Sequence, residues 1–391
     1  MNNIIKVPTI PLLFFILFNA TYLIYIAGYL SQLFYYATII LYCAYGLIFI
    51  IWKDYNTNIC DLKFFNGIKN VFIIIITFFL VSIISQIKNN DLEFYLFRGL
   101  FDLLMPTLVV FCIVNTDAEN INSYIYILFI RAIMQFFIEG GSNLSWEAIF
   151  SINWADSSSS LTETPASHIF CLLTIIFLYQ KKYITAILST ILCPISFKRF
   201  AVVVCLASWI IFRFIPNKKI NKYVSWIISV LLCCTPFIVM YIYSPAGNAL
   251  FYDLFKMDLN EFTTGRYGLV QQTLNHFNGN YNGLGTVANY FASLGGQMAK
   301  LGTFHCDILR IYLECSFVGV LVYVFAMMNI AKSNWRVFYM FMYLFVELIV
   351  SHFLGRFIEW TLFYLFAFLV NDINMQDNRI QSLKDIKEGS F

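Results

Sequence analysis

The sequence predicts an all-α, polytopic membrane protein with about twelve transmembrane helices and a large, partly helical outer loop. Hydrophobic residues make up 60% of the 391 residues, charged residues only 12%, and the mean hydropathy is +0.72. Soluble domains are nearer half apolar and a quarter charged. A water-soluble fold of this size would need more charge to cover its core, so the solvent must be the bilayer.

The transmembrane helices follow from apolar stretches of roughly twenty residues, somewhat shorter where other helices surround them. The predicted spans are 9–29, 33–52, 70–87, 99–116, 122–138, 166–180, 183–197, 199–214, 223–243, 309–330, 336–353 and 356–370. Residues 1–243 thus hold nine spans, 244–308 form the large loop, 309–370 hold three more spans and 371–391 form a tail.

The stretch 183–214 fits either one long helix or a tight hairpin. Pro194 and the polar run Ser196-Phe197-Lys198-Arg199 favour the hairpin, because proline ends helices and polar residues mark turns.

The orientation follows from the lysines and arginines, which accumulate in cytoplasmic loops. With the N-terminus inside, about fifteen of the 25 basic residues are cytoplasmic and about nine lie outside. The loops 139–165 and 244–308 then face outward, and the tail is cytoplasmic. The first apolar segment is too long for a signal-peptide core, so we interpret it as a retained helix.

The large outer loop has local structure of its own. Residues 247–258 fit an amphipathic surface helix. Thr263 or Thr264 could cap a short helix that runs through Leu274. Residues 277–285 read as a turn and 293–302 as an irregular link. We find no fixed-period repeat and no inverted pair of broken helices, which weakens a transporter interpretation.

Several function classes are excluded by composition and missing motifs. A net charge of +3, spread among apolar segments, does not indicate nucleic-acid binding. The cysteines lie mainly in apolar runs without a CxxC pair, and four dispersed histidines do not make a metal site. No phosphate-binding glycine motif and no cytoplasmic domain is present, so an activated lipid is a better donor than a nucleotide.

Some basic residues break the positive-inside pattern, because they map to outer helix ends or to the outer loop. They are Arg98, Lys198, Arg199, Arg266, Arg310 and Arg356. Guanidinium groups pair bidentately with phosphate oxygens, so a pyrophosphate at the membrane surface would explain them. The alternative is that they pair with outer carboxylates or lipid head groups.

The densest polar cluster lies where the large loop re-enters the membrane. Asp307, Arg310 and Glu314 would share one helical face through spacings of three and four. His305, at the outer end of that helix, can take a proton from an attacking hydroxyl. The alternative is a helix-entry motif with an internal ion pair from Arg310 to Asp307 or Glu314.

Other charged or titratable positions carry weaker signals. His276 reads as a surface histidine, and His168 and His352 as helix-end residues at the membrane interface. Arg131 and Glu347 fall inside predicted spans, where a charge is costly. We expect both to face the helix bundle as structural elements, where they could pair with each other.

Residues 305–319 resemble the His-x-x-x-Leu…Glu-x-Gly-x-x-Gly stretch of the O-antigen polymerase (Wzy) and ligase superfamily. Thr264-Gly265-Arg266 is similar to the Gly-Arg that opens the large periplasmic loop there, and 196–199 to its Ser-x-Ser-Arg turn. The resemblance covers about 190–330. Two positions depart from it: Ser316 stands where glycine is frequent, and Lys198 where a small residue is usual.

The resemblance implies an inverting, metal-independent glycosyl transfer without a cofactor, on the periplasmic face of a bacterial inner membrane. The growing chain on undecaprenyl diphosphate would move onto a new lipid-linked repeat unit, with His305 as the base. Arg199, Arg266 and Arg310 would neutralise the departing diphosphate. Lys198, Asp307 and Glu314 complete the expected substrate-binding set. The expected partners are the lipid-linked oligosaccharide, membrane lipids, a chain-length regulator and a flippase.

Three other function classes stay open at this point. An O-antigen ligase uses the same donor, and the sequence barely separates it from a polymerase. A lipid-oligosaccharide flippase would carry intramembrane cations along a cavity and short loops, whereas here the outer loop is long and contains a histidine. A structural membrane scaffold would not need the outer arginines.

Overall fold

The computed structural model describes residues 9–57, 62–89, 95–140, 145, 147, 164–196, 198–263, 266–294 and 304–371. These residues form helices and no strands. Six helices are long and apolar enough to cross a membrane, so the chain is a multi-pass membrane protein. They are Gln32–Lys53, Phe65–Lys88, Leu96–Thr116, Ala118–Glu139, Lys222–Ile242 and Asp307–Ala331.

Each apolar stretch predicted from the sequence coincides with a helix or a pair of helices. In chain order the helices are α1 (Ile10–Ile26), α2 (Gln32–Thr57), α3 (Phe65–Asn89), α4 (Tyr95–Thr116), α5 (Ile121–Glu139), α6 (Ala166–Tyr179), α7 (Tyr183–Ile195), α8 (Arg199–Phe214), α9 (Lys222–Cys233), α10 (Thr235–Ile242), α11 (Pro245–Phe255), α12 (Leu259–Phe262), α13 (Arg266–Phe277), α14 (Thr286–Ser293), α15 (Asp307–Ala331), α16 (Trp335–Val350) and α17 (Phe357–Asn371). Residues 372–391 of the predicted tail and most of the first outer loop lie outside the described residues.

The chain divides into two compact units. The first comprises Met1–Phe65, Met105–Pro216 and Ile358–Phe391, and the second comprises Asn66–Leu104 and Asn217–Phe357. The second unit therefore joins the predicted large loop to the helices on either side of it.

The first unit buries the arginine that the sequence placed inside a span. The Arg131 side chain donates from Nη1 to Asn19 Oδ1 at 2.8 Å, and its guanidinium carbon lies 3.7 Å from the centre of the Tyr22 ring. A charge among apolar helices needs such partners. The prediction that Arg131 faces the helix bundle is confirmed, and its partners are an amide and an aromatic ring.

The hairpin predicted within 183–214 is also confirmed in the first unit. Helix α7 ends at Ile195 and α8 begins at Arg199. The two helices pack together, and Trp209 Nε1 donates to Thr190 Oγ1 across them at 2.9 Å. Thr164 N also donates to Ser196 O at 2.9 Å, which fixes the end of α7.

In the second unit, the predicted span 223–243 is broken into α9 and α10 at Cys234. The break follows from Pro236, which has no N–H to donate to the carbonyl four residues earlier. Thr235 Oγ1 donates to that carbonyl, Leu232 O, at 2.6 Å. The predicted span 223–243 is confirmed, because the two helices together, Lys222–Ile242, are long and apolar enough to cross a membrane.

The predicted helices of the large loop are present. The surface helix corresponds to α11, whose Leu250, Leu254 and Phe255 are exposed. It ends where Lys256 adopts a left-handed conformation, φ 55°. Thr263 Oγ1 accepts from Tyr267 N at 3.2 Å at the start of α13, the capping role predicted for it. Helix α14 was not predicted, and most of the link 293–302 lies outside the described residues.

Candidate functional site

The predicted face of α15 is present, and its charges are buried. Asp307 and Glu314 are fully buried, and Arg310 lies between them. Arg310 Nε is 3.2 Å from Glu314 Oε2 and its Nη1 is 3.7 Å from Asp307 Oδ1. The internal ion pair that the sequence left as an alternative is therefore present, with both carboxylates. Buried charges require such pairing.

Asp307 joins the start of α15 to the segment 352–354 that follows α16. Its carboxylate accepts from the main-chain N–H groups of Phe353 and Leu354. The same carboxylate lies 3.1 Å from His352 Nδ1, and the His352 side chain is 32% exposed. A carboxylate at the first residue of a helix also lies favourably in the helix dipole. Asp307 is thus an anchor, and His352 is its accessible partner.

Glu314 holds the loop segment 283–287 in the same way. The N–H of Val287 donates to Glu314 Oε1 at 3.0 Å, and the N–H of Gly283 donates to the Glu314 main-chain carbonyl at 3.0 Å. Leu284, fully buried, donates its N–H to Ser82 Oγ on α3 at 2.8 Å. Non-helical backbone among membrane helices is tolerated only when protein groups satisfy it, as they do here.

A break in α15 makes this docking possible. Ser316 has φ 61° and ψ −178°, a conformation that is essentially restricted to glycine. In an uninterrupted helix, Val318 N–H would bond to the Glu314 carbonyl. Here Val318 N–H lies 3.3 Å from Ser316 Oγ, and the Glu314 carbonyl accepts from Gly283 instead. The departure at Ser316 thus falls where the backbone itself explains a preference for glycine.

Further charges of the second unit surround this core. Asp102 on α4 faces the charges of Arg98, Arg310 and His352. Gly355 lies against Asp102, and a Cβ there would be 3.4 Å from its Oδ2. Arg356 Nε is 3.4 Å from the main-chain carbonyl of His352. Asp102, Asp307, Arg310, Glu314 and His352 therefore form a group of interacting charges around the first turns of α15, which we call the charged cluster.

Arg266, at the start of α13, reaches the end of α16 beside this cluster. Its Nη1 donates to Val350 O at 2.9 Å, which satisfies a carbonyl at a helix C-terminus. Tyr243 stacks on Tyr267 with ring centres 6.2 Å apart. Burial raises the pKa of Tyr243, and the positive charge of Arg266 opposes that effect.

Of the predicted site residues, the second unit contains His305, Asp307, Arg310, Glu314 and Arg266. His305 is half-buried and directly precedes Cys306 and the anchored Asp307. Burial raises the pKa of Cys306 to about 12, so its thiol stays protonated at neutral pH.

Lys198 and Arg199 belong to the first unit, at the α7–α8 hairpin. The N–H of Lys198 donates to Ser167 Oγ at 3.2 Å, which holds the entry to α8. Both residues remain predictions for the substrate-binding set.

Sequence reasoning missed the roles of His352 and Asp102. His352 was taken as an interface residue, and its partner Asp307 is distant in sequence. Arg98 and Arg356 carried the available signal, because both break the positive-inside pattern and each lies four residues from one of these two side chains. Among the described residues, no three His, Cys, Asp or Glu side chains form a metal site.

Comparison with known proteins finds no relative of this chain. No family model, no curated protein and no solved structure matches the chain.

Proposed function

We propose that the chain is an oligosaccharide polymerase. It would transfer a growing glycan from undecaprenyl diphosphate to a new lipid-linked repeat unit on the periplasmic face of a bacterial inner membrane. The observation that carries the proposal is the charged cluster. Its buried carboxylates Asp307 and Glu314 pair with Arg310, partly exposed His352 lies against Asp307, and half-buried His305 precedes Asp307 by two residues. The reaction is inferred from the sequence resemblance over 190–330, and the predicted spans, about twelve in number, would form the scaffold.

The transfer needs a base for the acceptor hydroxyl. The acceptor oxygen attacks the anomeric carbon as the bond from that carbon to the phosphate oxygen breaks. The proton passes to an imidazole, and the electron pair leaves with undecaprenyl diphosphate. His305 takes this role in the resemblance, and its position next to the anchored Asp307 supports the choice. His352 is then a positioning residue that acts through Asp307.

The leaving diphosphate needs positive charge that is not already neutralised. Arg310 is engaged by Asp307 and Glu314, so we assign it to holding the site together. Arg266 has a main-chain carbonyl as its described partner and keeps the capacity to bind phosphate. Arg199 keeps the same predicted role at the hairpin. The exposed apolar face of α11 would rest on the membrane surface, where the lipid-linked substrates lie.

Deletion of the gene in its native strain, followed by gel analysis of the lipopolysaccharide, tests the proposal. Loss of a polymerase leaves the core with one repeat unit. Loss of a ligase leaves bare core with lipid-linked polymer accumulating, and loss of a flippase removes the surface antigen altogether. Either of the last two patterns would overturn the polymerase assignment.

The proposed orientation has its own test. Single cysteines are placed at exposed Asn280 and Asn221 in a variant whose own cysteines are replaced. An impermeant maleimide should label position 280 on intact spheroplasts and position 221 only after permeabilisation. Labelling of position 280 only from the cytoplasm would invert the topology and contradict a periplasmic site.

A further inference from the structure

A groove in the second unit lies away from the charged cluster, and the role that we infer for it is separate from the proposed function. It is a cavity of about 670 Å³ open on one side, with walls formed by α3, α9 and α15. The residues that define it are Asn70, Lys222, Trp226, Ala326, Asn329 and Lys332.

The groove is apolar along most of its length, and three of its polar side chains are hydrogen-bonded within the protein. Asn329 Nδ2 donates to Asn70 Oδ1 at 3.0 Å, and Asn70 Nδ2 donates to Asn66 O at 2.7 Å. Ser229 Oγ donates to Ser225 O at 2.8 Å. A ligand lying in the groove therefore meets mainly hydrocarbon, which suits an acyl chain.

One end of the groove is basic because the chain brings two lysines together there. Ile220 N donates to Lys332 O at 3.1 Å, and Trp335 N donates to Lys218 O at 3.1 Å. These bonds fix the loop before α9 against the turn after α15. Lys222, the first residue of α9, and Lys332, just after α15, consequently line the same cavity.

No carboxylate of the wall helices balances these lysines. The segments 217–252 and 315–346 contain no Asp or Glu, and neither does α3. Next to Lys222, Tyr223 and Trp226 are 78% and 61% exposed. Exposed aromatic rings beside lysines mark the head-group level of a bilayer.

We propose that this groove binds an anionic phospholipid, with an acyl chain between α3, α9 and α15 and the phosphate on Lys222 and Lys332. Charge complementarity selects this occupant, because two lysines without an ion pair among the described residues line an apolar groove. Basic pockets between transmembrane helices recognise anionic head groups on the same grounds.

The test uses the quenching of Trp226 fluorescence by brominated lipids. Full-length protein is reconstituted in phosphatidylcholine vesicles containing brominated phosphatidylglycerol or brominated phosphatidylcholine. The Trp226 contribution is the difference between the parent protein and Trp226→Phe. We expect the anionic lipid to quench it at about 25-fold lower mole fraction, with each of the two lysines contributing about fivefold.

Matched variants separate the groove from general surface charge. Lys222→Ala/Lys332→Ala should lose the preference, whereas Lys218→Ala/Lys219→Ala, two exposed lysines outside the cavity, should keep it. Ala326→Phe fills the groove without touching the lysines and should reduce quenching by both lipids. Equal quenching by the two lipids, or an unchanged preference in the Lys222/Lys332 variant, overturns the proposal. Loss of the preference in millimolar inorganic phosphate would indicate a site for free phosphate, and it also overturns the proposal. The same holds if neither lipid quenches Trp226 and position 226 cross-links to a second copy of the chain.

Discussion

The two ends of α15 carry charge in opposite ways. At Asp307, buried carboxylates and guanidinium groups neutralise one another and bind main-chain N–H groups from two loop segments. At Lys332, two lysines line an apolar groove whose wall helices supply no nearby carboxylate. A helix of 25 residues is about 37 Å long, enough to cross the hydrocarbon core of a bilayer. One helix therefore carries a self-neutralised polar site near one end and, near the other, a cationic site without a carboxylate partner among the described residues.

The difference shows where each kind of charge is tolerated. Inside the helix bundle, an unpaired charge costs several kcal/mol, so the first end can exist only as a complete network. At the second end, long lysine side chains can reach water or lipid phosphates, so no protein partner is required. Substitutions should accordingly be costly at the first end and nearly neutral for folding at the second.

Loss of one network charge should give the largest effect. Arg310→Ala leaves the buried Asp307 and Glu314 without a counter-charge, and we expect a loss of about 3–5 kcal/mol of stability. Thermal unfolding in detergent measures it. Lys332→Ala, on the same helix, is the control and should stay within about 0.5 kcal/mol of the parent. Similar losses at both positions would erase the contrast between the two ends.

Glycan chain extension should respond differently to the loss of His305 and to the loss of His352. His305→Ala should reduce it by about 10²–10⁴-fold, the usual contribution of a general base. His352→Ala should reduce it less, because His352 acts only through Asp307. His276, stacked on Tyr290 with ring centres 3.9 Å apart, provides the control, and His276→Ala should keep most activity.

Complementation of the deletion strain, with membrane abundance checked in parallel, measures these three variants. A long-chain ladder from well-expressed His305→Ala would remove His305 as the base. If His352→Ala then gave the larger loss, the base would be His352.

Docking of the loop can be tested at Gly283. This residue has φ 97°, and an added Cβ would lie 3.1 Å from Ser82 Cα. Gly283→Ala should therefore cost about 1–3 kcal/mol and increase proteolysis within the loop. Gly279→Ala is the matched control, since φ is 76° there and no atom lies within 4 Å. It carries the backbone strain without the collision, and equal effects would show that contact with α3 does not hold the loop.

The smallest expected effect is at Ser316. Ser316→Gly relieves about 1–2 kcal/mol of backbone strain. The variant loses the bond from Val318 N–H to Ser316 Oγ, which costs only a few tenths of a kcal/mol when glycine replaces a capping serine. Ser316→Ala keeps the strain and loses the bond to Val318, at a cost of about 1 kcal/mol. Melting temperatures should follow the order glycine, serine, alanine, and a glycine variant below the parent would contradict the strain at this position.

The sequence predicted the elements of this fold better than their connections. Long apolar stretches identify helices directly, and the charged face of α15 followed from its spacing. Contacts between distant segments leave no local pattern, so the bonds from Asp307 to 352–354 and from Glu314 to 283–287 were not foreseen. The break at Cys234 could have been found, because Pro236 lies inside an otherwise continuous apolar run.

The site was predicted in part for the same reason. Residues on one helix were grouped correctly, whereas His352 was set aside because its meaning depends on a partner 45 positions away. The arginines were informative even so. Arg98 and Arg356 were recognised as misplaced for topology, and both lie beside residues of the charged cluster.

The carbonyl of Glu314 accepts from Gly283 N–H in place of Val318 N–H. This exchange of donors makes the loop and the helix a single cooperative folding unit. Without the docked loop, the Glu314 carbonyl would bond to Val318 N–H, and α15 would continue as a regular helix. Each residue of an α-helix turns by about 100°, so regularising Ser316 would rotate Asp307 and Arg310 relative to the rest of α15. Docking of 283–287 therefore sets the rotational register of the helix turn that meets 352–354. Amide exchange at Gly283 and Val318 should report this assembly as one event, because each amide takes its native partner only when the other does.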